Sequence, residues 1–261
     1  MDRRRRQLIM TIMRRVLTVV ILSLVTFGTA RPALAQSGTW TEKFWFSVSG
    51  GVQPTPNNFS DAFDLPLYVE NEHVTVDYPV KSGAVIAASG GYRMWRRLAI
   101  GLGVTRYNRR GASSVSAELP HPFFDNQFRH VEGTASTTRN EVGAHLLIGW
   151  MMPLTDKLRV LVTAGPSFFS VGHTLVTDVQ FSETFPYDTA TFTGVTTKDA
   201  SATAAGFNAG ADVFWMFSHN LGAGGLVQFT RASVRENAGN SRTISVDAGG
   251  AQVGAGIRFV F

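Results

Sequence analysis

The chain has 261 residues, 44% of them hydrophobic, no cysteine and a formal net charge of +5. The missing cysteine excludes a disulfide framework, a thiolate metal site, a cysteine nucleophile and a lipoprotein's lipid attachment. The charge is confined to one end: residues 1–35 hold seven Arg and one Asp, a net of +6, which leaves residues 36–261 at 5 − 6 = −1. A nucleic-acid-binding class built on basic charge therefore falls away.

The first segment reads as a cleaved secretory signal peptide. Arg3 to Arg6 with Arg14 and Arg15 form a basic start, Val16 to Phe27 an apolar run, and Ala33-Leu34-Ala35 a small-x-small site. Cleavage after Ala35, on the general secretory route, leaves residues 36–261 as one domain. The apolar run is too short for a span, which needs roughly 20 residues, and no later run is longer. Any wall through a membrane must then be built from strands.

Period-two alternation recurs eight times. "TEKFWFSVSGGV" sets Phe44, Phe46 and Val48 against Lys43, Ser47 and Ser49. "GAVIAASGGYR" sets Ile86 and Tyr92 against Ala87, Ser89 and Gly91, and "LAIGLGVTRY" sets Ile100, Leu102 and Val104 against Gly101, Gly103 and Thr105. "NEVGAHLLIGWMM", "LRVLVTAGPSFF", "AAGFNAGADVFW", "LGAGGLVQFTR" and the closing "AGGAQVGAGIRFVF" follow the same rule. Short connections follow strands two, four and six. Long ones follow strands one, three, five and seven, near residues 53–80, 111–137, 171–199 and 234–244. Short turns on one side and long loops on the other are the pattern of an all-β, transmembrane, antiparallel up-and-down β-barrel of eight strands, with short periplasmic turns and long extracellular loops. Aromatics gather towards the short-turn ends, at Phe44, Phe46, Tyr92, Trp150, Trp215, Phe259 and Phe261, with Phe168 and Phe229 towards the other end, as two interfacial girdles require. The long connections keep alternation in "HVTVDY", "HTLVTDVQF" and "TATFTGVTT", so strands are expected to protrude beyond the membrane as hairpins.

With the "ALA|Q" site, the "GPSF" and "GFNAGADV" segments and the terminal "IRFVF", residues 36–261 resemble the small eight-stranded outer-membrane β-barrels of Gram-negative bacteria, the OmpA/OmpX-like family. The resemblance implies residence in the outer membrane as a monomer among lipids and lipopolysaccharide. It also implies handling by periplasmic chaperones and the barrel assembly machinery, with Phe259 and Phe261 as the C-terminal assembly signal. The peptidoglycan-binding domain of larger relatives is expected to be missing.

Eight strands enclose an interior that side chains fill. The inward set includes Lys43, Glu141, His145, Arg159, Asn208, Asp212, Gln228 and Arg258. A lumen polar cluster of Lys43, Arg159, Asp212 and Arg258 is expected, with Asp212 bonded to Arg159 and to Arg258, because isolated charges there are costly. The alternative is an ion path lined by the same groups. Arg106, Arg109 and Arg110 end strand three, and Arg231 and Arg235 end strand seven, at the height where lipopolysaccharide phosphates would be paired or side chains simply snorkel. The first loop carries Asp61, Asp64, Glu70, Glu72 and Asp77, at a spacing that matches no calcium loop. Ser218-His219-Asn220 sits in a short turn and His130 stands beside Glu132, and neither makes a nucleophile-base-acid set. HExxH, Walker A and GxSxG are missing. No enzyme, cofactor, metal or nucleic acid is expected. The leading function is a structural or surface-interaction barrel; the alternatives are a narrow porin-like channel for small or hydrophobic solutes and, last, a lipid A-modifying barrel enzyme.

Overall fold

The computed structural model describes residues 41–54, 57–80, 82–239 and 242–261; the expected signal peptide lies outside them. Ten strands run in chain order: β1 Phe44–Gln53, β2 Phe59–Leu67, β3 Glu70–Tyr78, β4 Gly83–Trp95, β5 Leu98–Pro120, β6 Phe128–Pro153, β7 Leu158–Glu183, β8 Ala190–Met216, β9 Leu221–Gly239 and β10 Arg242–Val260. Every pairing is antiparallel. No helix among the described residues is long and apolar enough to cross a membrane, which leaves crossing by strands open.

Eight strands close a ring, β1-β4-β5-β6-β7-β8-β9-β10 and back to β1. These are the eight that alternation marks. The remaining two, β2 and β3, form a hairpin seated on the upper half of β5, where Val74 pairs with Ala117. The ring closes with a stagger. Arg106 pairs directly with Val142 of β6, yet its row followed the other way passes Ile86, Gly50, Ala255, Gly225, Val213 and Val160 and reaches β6 at Met152. Ten residues separate the two arrivals, the shear that tilts eight strands enough to fill their own interior with side chains.

The long connections are mostly strand. Alternation carries β5, β6, β7 and β8 far past the ring, so true loops shrink to 121–127 and 184–189. On the opposite side the turns are tight: Arg96 takes φ 46° between β4 and β5, and Leu154 and Thr155 both donate to the Leu158 carbonyl.

The outer wall of the ring is apolar and exposed at Val48, Ile86, Leu102, Ile148, Val162, Val227 and Ile257. Around its lower rim stand Phe44, Tyr92, Trp95, Trp150, Trp215 and Phe261, all exposed, with Phe44 on Tyr92 at 5.1 Å between ring centroids. Phe168, Phe207 and Phe229 mark the upper rim. An apolar band between aromatic rims is the surface that hydrocarbon covers. The seam between first and last strands is tight, with Phe261 and Phe44 exchanging backbone hydrogen bonds of 2.9 Å and Phe46 facing Phe259 at 6.4 Å.

Above the ring the protruding strands make a second, water-surrounded core. Phe63, Val74, Val76 and Tyr78 from the hairpin pack with Val115, Ala117 and Leu119 of β5, Val131 and Ala135 of β6, and Leu175, Val176 and Val179 of β7. This head needs no lipid: its apolar side chains face one another, and Ser, Thr and most Asp and Glu face out, Asp61 and Glu72 being buried.

Candidate functional site

The lumen is layered. At its floor Trp45, Leu147, Met151, Leu161, Phe214, Met216 and Val260 form an apolar layer. Through it runs the buried pair of Arg258 and Asp212: Nη2 lies 2.7 Å from Oδ1, Nε donates to the same oxygen at 2.9 Å, and Ser47 donates to Oδ2 at 3.3 Å. Arg258 reaches Asp212 across β9 because position 224 is glycine: a Cβ there would stand 2.8 Å from Arg258 Nε and 2.2 Å from the Val213 carbonyl.

Two of the expected floor contacts are corrected. Arg159 bonds Glu42 at 2.8 Å and not Asp212, because the register sets Asp212 opposite Leu161 and Arg159 opposite Phe214, nearer the lumen mouth. Lys43 is exposed; it precedes β1, where the interior already opens to water. Glu42, the partner that alternation did not reveal, lies outside any strand.

The middle layer is polar. His145 bonds Ser167 through Nδ1 at 2.8 Å and Thr105 through Nε2 at 2.9 Å. By atom type this is a nucleophile beside a base, but Ser167 is fully buried and a hydroxyl stands where an orienting carboxylate is needed. Higher up, Arg139 meets Glu141 at 2.5 Å, Gln252 donates to Gln53 at 2.9 Å and His173 lies 2.8 Å from Glu236. Gly249 takes φ 83°, open to glycine, and its amide donates to Glu141 at 2.9 Å. Arg139, His173 and Glu236 were invisible as lumen residues because their segments read as loop. Phe169, Val171, Ala232, Val234 and Ala248 pack as an apolar cluster along the β7–β10 side of the lumen, just below His173 and Glu236.

Two cavities among the described lumen side chains are small. The cavity between Trp45, His145, Asp212 and Gln228 measures about 30 Å³, and one beside Arg109, Arg139 and His173 about 20 Å³. A water needs roughly 10–15 Å³, so each has room for a water or two. A larger hollow of about 490 Å³, beside Ala144, Phe168 and Ala205, lies on the outer apolar wall.

The five candidate phosphate-binding arginines do not form one patch. Three strands lie between β5 and β9 in either direction round the ring, so Arg106, Arg109 and Arg110 stand on one wall and Arg231 and Arg235 on the opposite one. Arg109 also turns inward and is half-buried, since it has the opposite parity to Arg106 and Arg110. Arg231 pairs with Asp247 at 3.1 Å, both exposed.

Across the outer face of the head a row of side chains runs over four strands: Asp64, His73, Glu118 and His130 occupy paired positions. His73 lies 2.6 Å from Asp64, and His130 lies between Glu118 at 2.7 Å and Glu132 at 3.0 Å. Hydrogen bonds from its ring to the carboxylates of Glu132 and then Glu118 raise the His130 pKa. Both partners are carboxylates, so this is an ion-pair row and not a nucleophile-base set. Among the described residues no three His, Asp or Glu side chains are arranged to hold a metal ion.

Inside the head Glu72 is buried. Burial, and then the charge of Asp178, push its carboxyl up to about 7 from 4.5. The folded head therefore holds a proton that the unfolded chain releases. This contribution to stability is full below about pH 4.5 and fades as pH rises through 7. Amide exchange in β3, corrected for intrinsic rates, is expected to be faster at about pH 8 than at about pH 5, and Glu72→Gln to remove the difference. An unaltered pH dependence in that variant would reject this origin.

Comparison with known proteins bears on the fold. No family model and no curated protein sequence matches the chain. Among solved structures, the outer membrane protein OprG from Pseudomonas aeruginosa superposes with a TM-score of 0.50 at 10% identity, over 87% of this chain and 99% of that one. Neisserial surface protein A gives 0.40 at 12% identity, over 84% and 97%. The attachment invasion locus protein Ail of Yersinia pestis, in complex with the heparin analogue sucrose octasulfate, gives 0.36 at 11%, over 83% and 99%. The closed, staggered ring, its apolar outer band and the likeness to OprG together give this chain the fold of the small eight-stranded outer-membrane β-barrels.

Proposed function

We propose that this is a non-enzymatic integral protein of the bacterial outer membrane that acts through its extracellular head, with a lumen closed to solutes. The observation that carries the reading is the interior: water-sized cavities among apolar clusters and buried ion pairs. Ions meeting such a stack would have to displace bonded side chains at every layer. The head supports the other half of the reading, because it has its own core and adds nothing to the lipid-facing wall. Export on a signal peptide cleaved after Ala35, insertion by the assembly machinery through Phe259 and Phe261, and function as a monomer belong to the same reading. They are supported by the residue pattern of 1–35 and by the seam those phenylalanines make with β1. Lipopolysaccharide contact is supported on two separate arcs, at Arg106 with Arg110 and at Arg231 with Arg235.

Conductance of the refolded chain in a planar bilayer tests the closed lumen. A silent bilayer is expected, with the barrel folded by its resistance to unfolding in cold detergent. Reproducible current steps that change when Asp212 or Arg159 is altered would make the polar interior a path and the protein a small pore.

A further inference from the structure

Three turns meet at the summit of the head, between β2 and β3, β5 and β6, and β7 and β8. They are tied underneath by one buried arginine. Arg129 pairs with Glu183 and donates to the carbonyls of Pro120 at 2.7 Å and Tyr187 at 3.1 Å. The same Glu183 accepts from Tyr68, and the Asn126 amide donates to Glu70 at 3.2 Å. His121 Nδ1 accepts from the Phe123 and Phe124 amides at 3.1 and 3.3 Å. Phe123 and Phe185 both lean on Tyr187, at 5.6 and 6.0 Å between centroids. The summit is thus a built platform.

What the platform presents is apolar. Val69 is 92% exposed, Phe185 82%, Phe123 69% and Phe124 54%. Clustered exposure of this kind on a water-facing surface marks an interaction site. It is not part of the lipid-facing band: at about 3.3 Å per residue, Leu119 already lies roughly 50 Å along β5 from Val104. The charge around it is one-sided. Residues 59–78, 112–135 and 175–199, which build the head, hold twelve Asp and Glu against one Arg and one Lys, and Asp125, Glu132 and Asp188 are exposed near the summit.

We propose that the summit of the head is a docking surface for a basic polypeptide that carries apolar side chains. Aromatic anchors need apolar partners, and the carboxylate rim selects cations and speeds their encounter. The same rim repels the other occupants: an anionic lipid surface, a sulfated glycan and a second copy of this head all bring negative charge. The inference rests on the reading of the head as the working part of the protein.

The test uses the whole chain in nanodiscs of zwitterionic phosphatidylcholine, with empty nanodiscs as the blank. The probes are three fluorescent synthetic peptides of equal length, built from Lys and Leu, from Lys and Ser, and from Glu and Leu. The Lys/Leu peptide is expected to bind best. Its affinity is expected to fall at least about tenfold in the triple variant Phe123→Ser, Phe124→Ser, Phe185→Ser. It is also expected to fall on raising salt from about 0.05 to 0.5 M. Asp125→Asn with Glu132→Gln and Asp188→Asn is expected to weaken the salt dependence while leaving the anchors. All six positions are on the surface of the head, and retention of the folded barrel's gel mobility checks each variant. Absence of binding, or equal binding of Lys/Leu and Lys/Ser peptides to wild type and triple variant, overturns the proposal. So does pairing of nanodiscs, or tethering of anionic vesicles, that depends on the same phenylalanines, since either assigns a different occupant. A silent bilayer without peptide binding defeats this inference alone, and peptide binding by a conducting barrel defeats the closed-lumen reading alone.

Discussion

Asp212→Ala is expected to lower the unfolding free energy of the barrel by about 3–5 kcal/mol, the range for removing one partner of a buried ion pair. The reason is Arg258. Its side chain is 0% exposed; Nε donates to Asp212, and Nη2 is in ion-pair contact with the same carboxylate oxygen. Its remaining bonds go to the carbonyls of Val48 and Ile257 at 3.2 and 3.1 Å, which accept hydrogen bonds but carry no charge. Without Asp212 a full cation is left between Phe214 and the glycines of β9, with only the small cavity beside residue 212 to bring it water. Urea unfolding of the chain in lipid vesicles measures the loss as a lower midpoint. The double change Asp212→Leu with Arg258→Met is expected to recover most of it, because exchanging a buried pair for apolar groups of similar size is often neutral or stabilising. A single variant within about 1 kcal/mol of wild type would mean that the cation finds water, and the floor would no longer count as a plug.

That pair also marks how far the sequence could be followed. Parity along a strand tells in from out, and it assigned Asp212, Arg258, Arg159, His145, Asn208 and Gln228 to the lumen, where all six are buried. Parity does not say which inward residues meet. The meeting is fixed by the ten-residue stagger, a property of all eight pairings together, and it sends Arg159 to Glu42 and Arg258 over Gly224 to Asp212. The eight membrane strands were legible because lipid on one side and a small-residue interior on the other write a strong period of two. The hairpin β2–β3 was legible only as alternation in "HVTVDY"; its seat on β5 depends on packing between segments distant in the chain. The summit was not legible at all, since "HPFFDNQ" and "TFPYDT" have no period and their phenylalanines converge only once three hairpins have formed.

The wall itself contains one weak place, and a second substitution probes it. Pro166 lies in the membrane-spanning part of β7, where proline brings no N–H to the ladder. Pairing with β6 runs to His145 opposite Ser167 and resumes at Ile148 opposite Ala164. Hydrocarbon offers no hydrogen bonds to the carbonyls in between. The lumen supplies them through one side chain: Asn208 Nδ2 lies 3.2 Å from the Leu146 oxygen, 2.9 Å from that of Gly165, 3.2 Å from that of Pro166 and 2.9 Å from Ser167 Oγ. An amide nitrogen has two hydrogens, so two of these bonds are made at a time. At about 1–2 kcal/mol for each buried acceptor left without a donor, Asn208→Ala is expected to cost about 2–4 kcal/mol in the same unfolding measurement. Exchange of the amides around Leu147 should quicken more than that of β1, across the ring from β7. Asn208→Gln keeps the amide and is expected to lose less, whereas Asn208→Asp brings only acceptors and is expected to lose more. An alanine variant as stable as wild type would show that the ladder closes over Pro166 without help. The ordering glutamine, alanine, aspartate would instead identify a lumen side chain as the donor that keeps this stretch of wall shut.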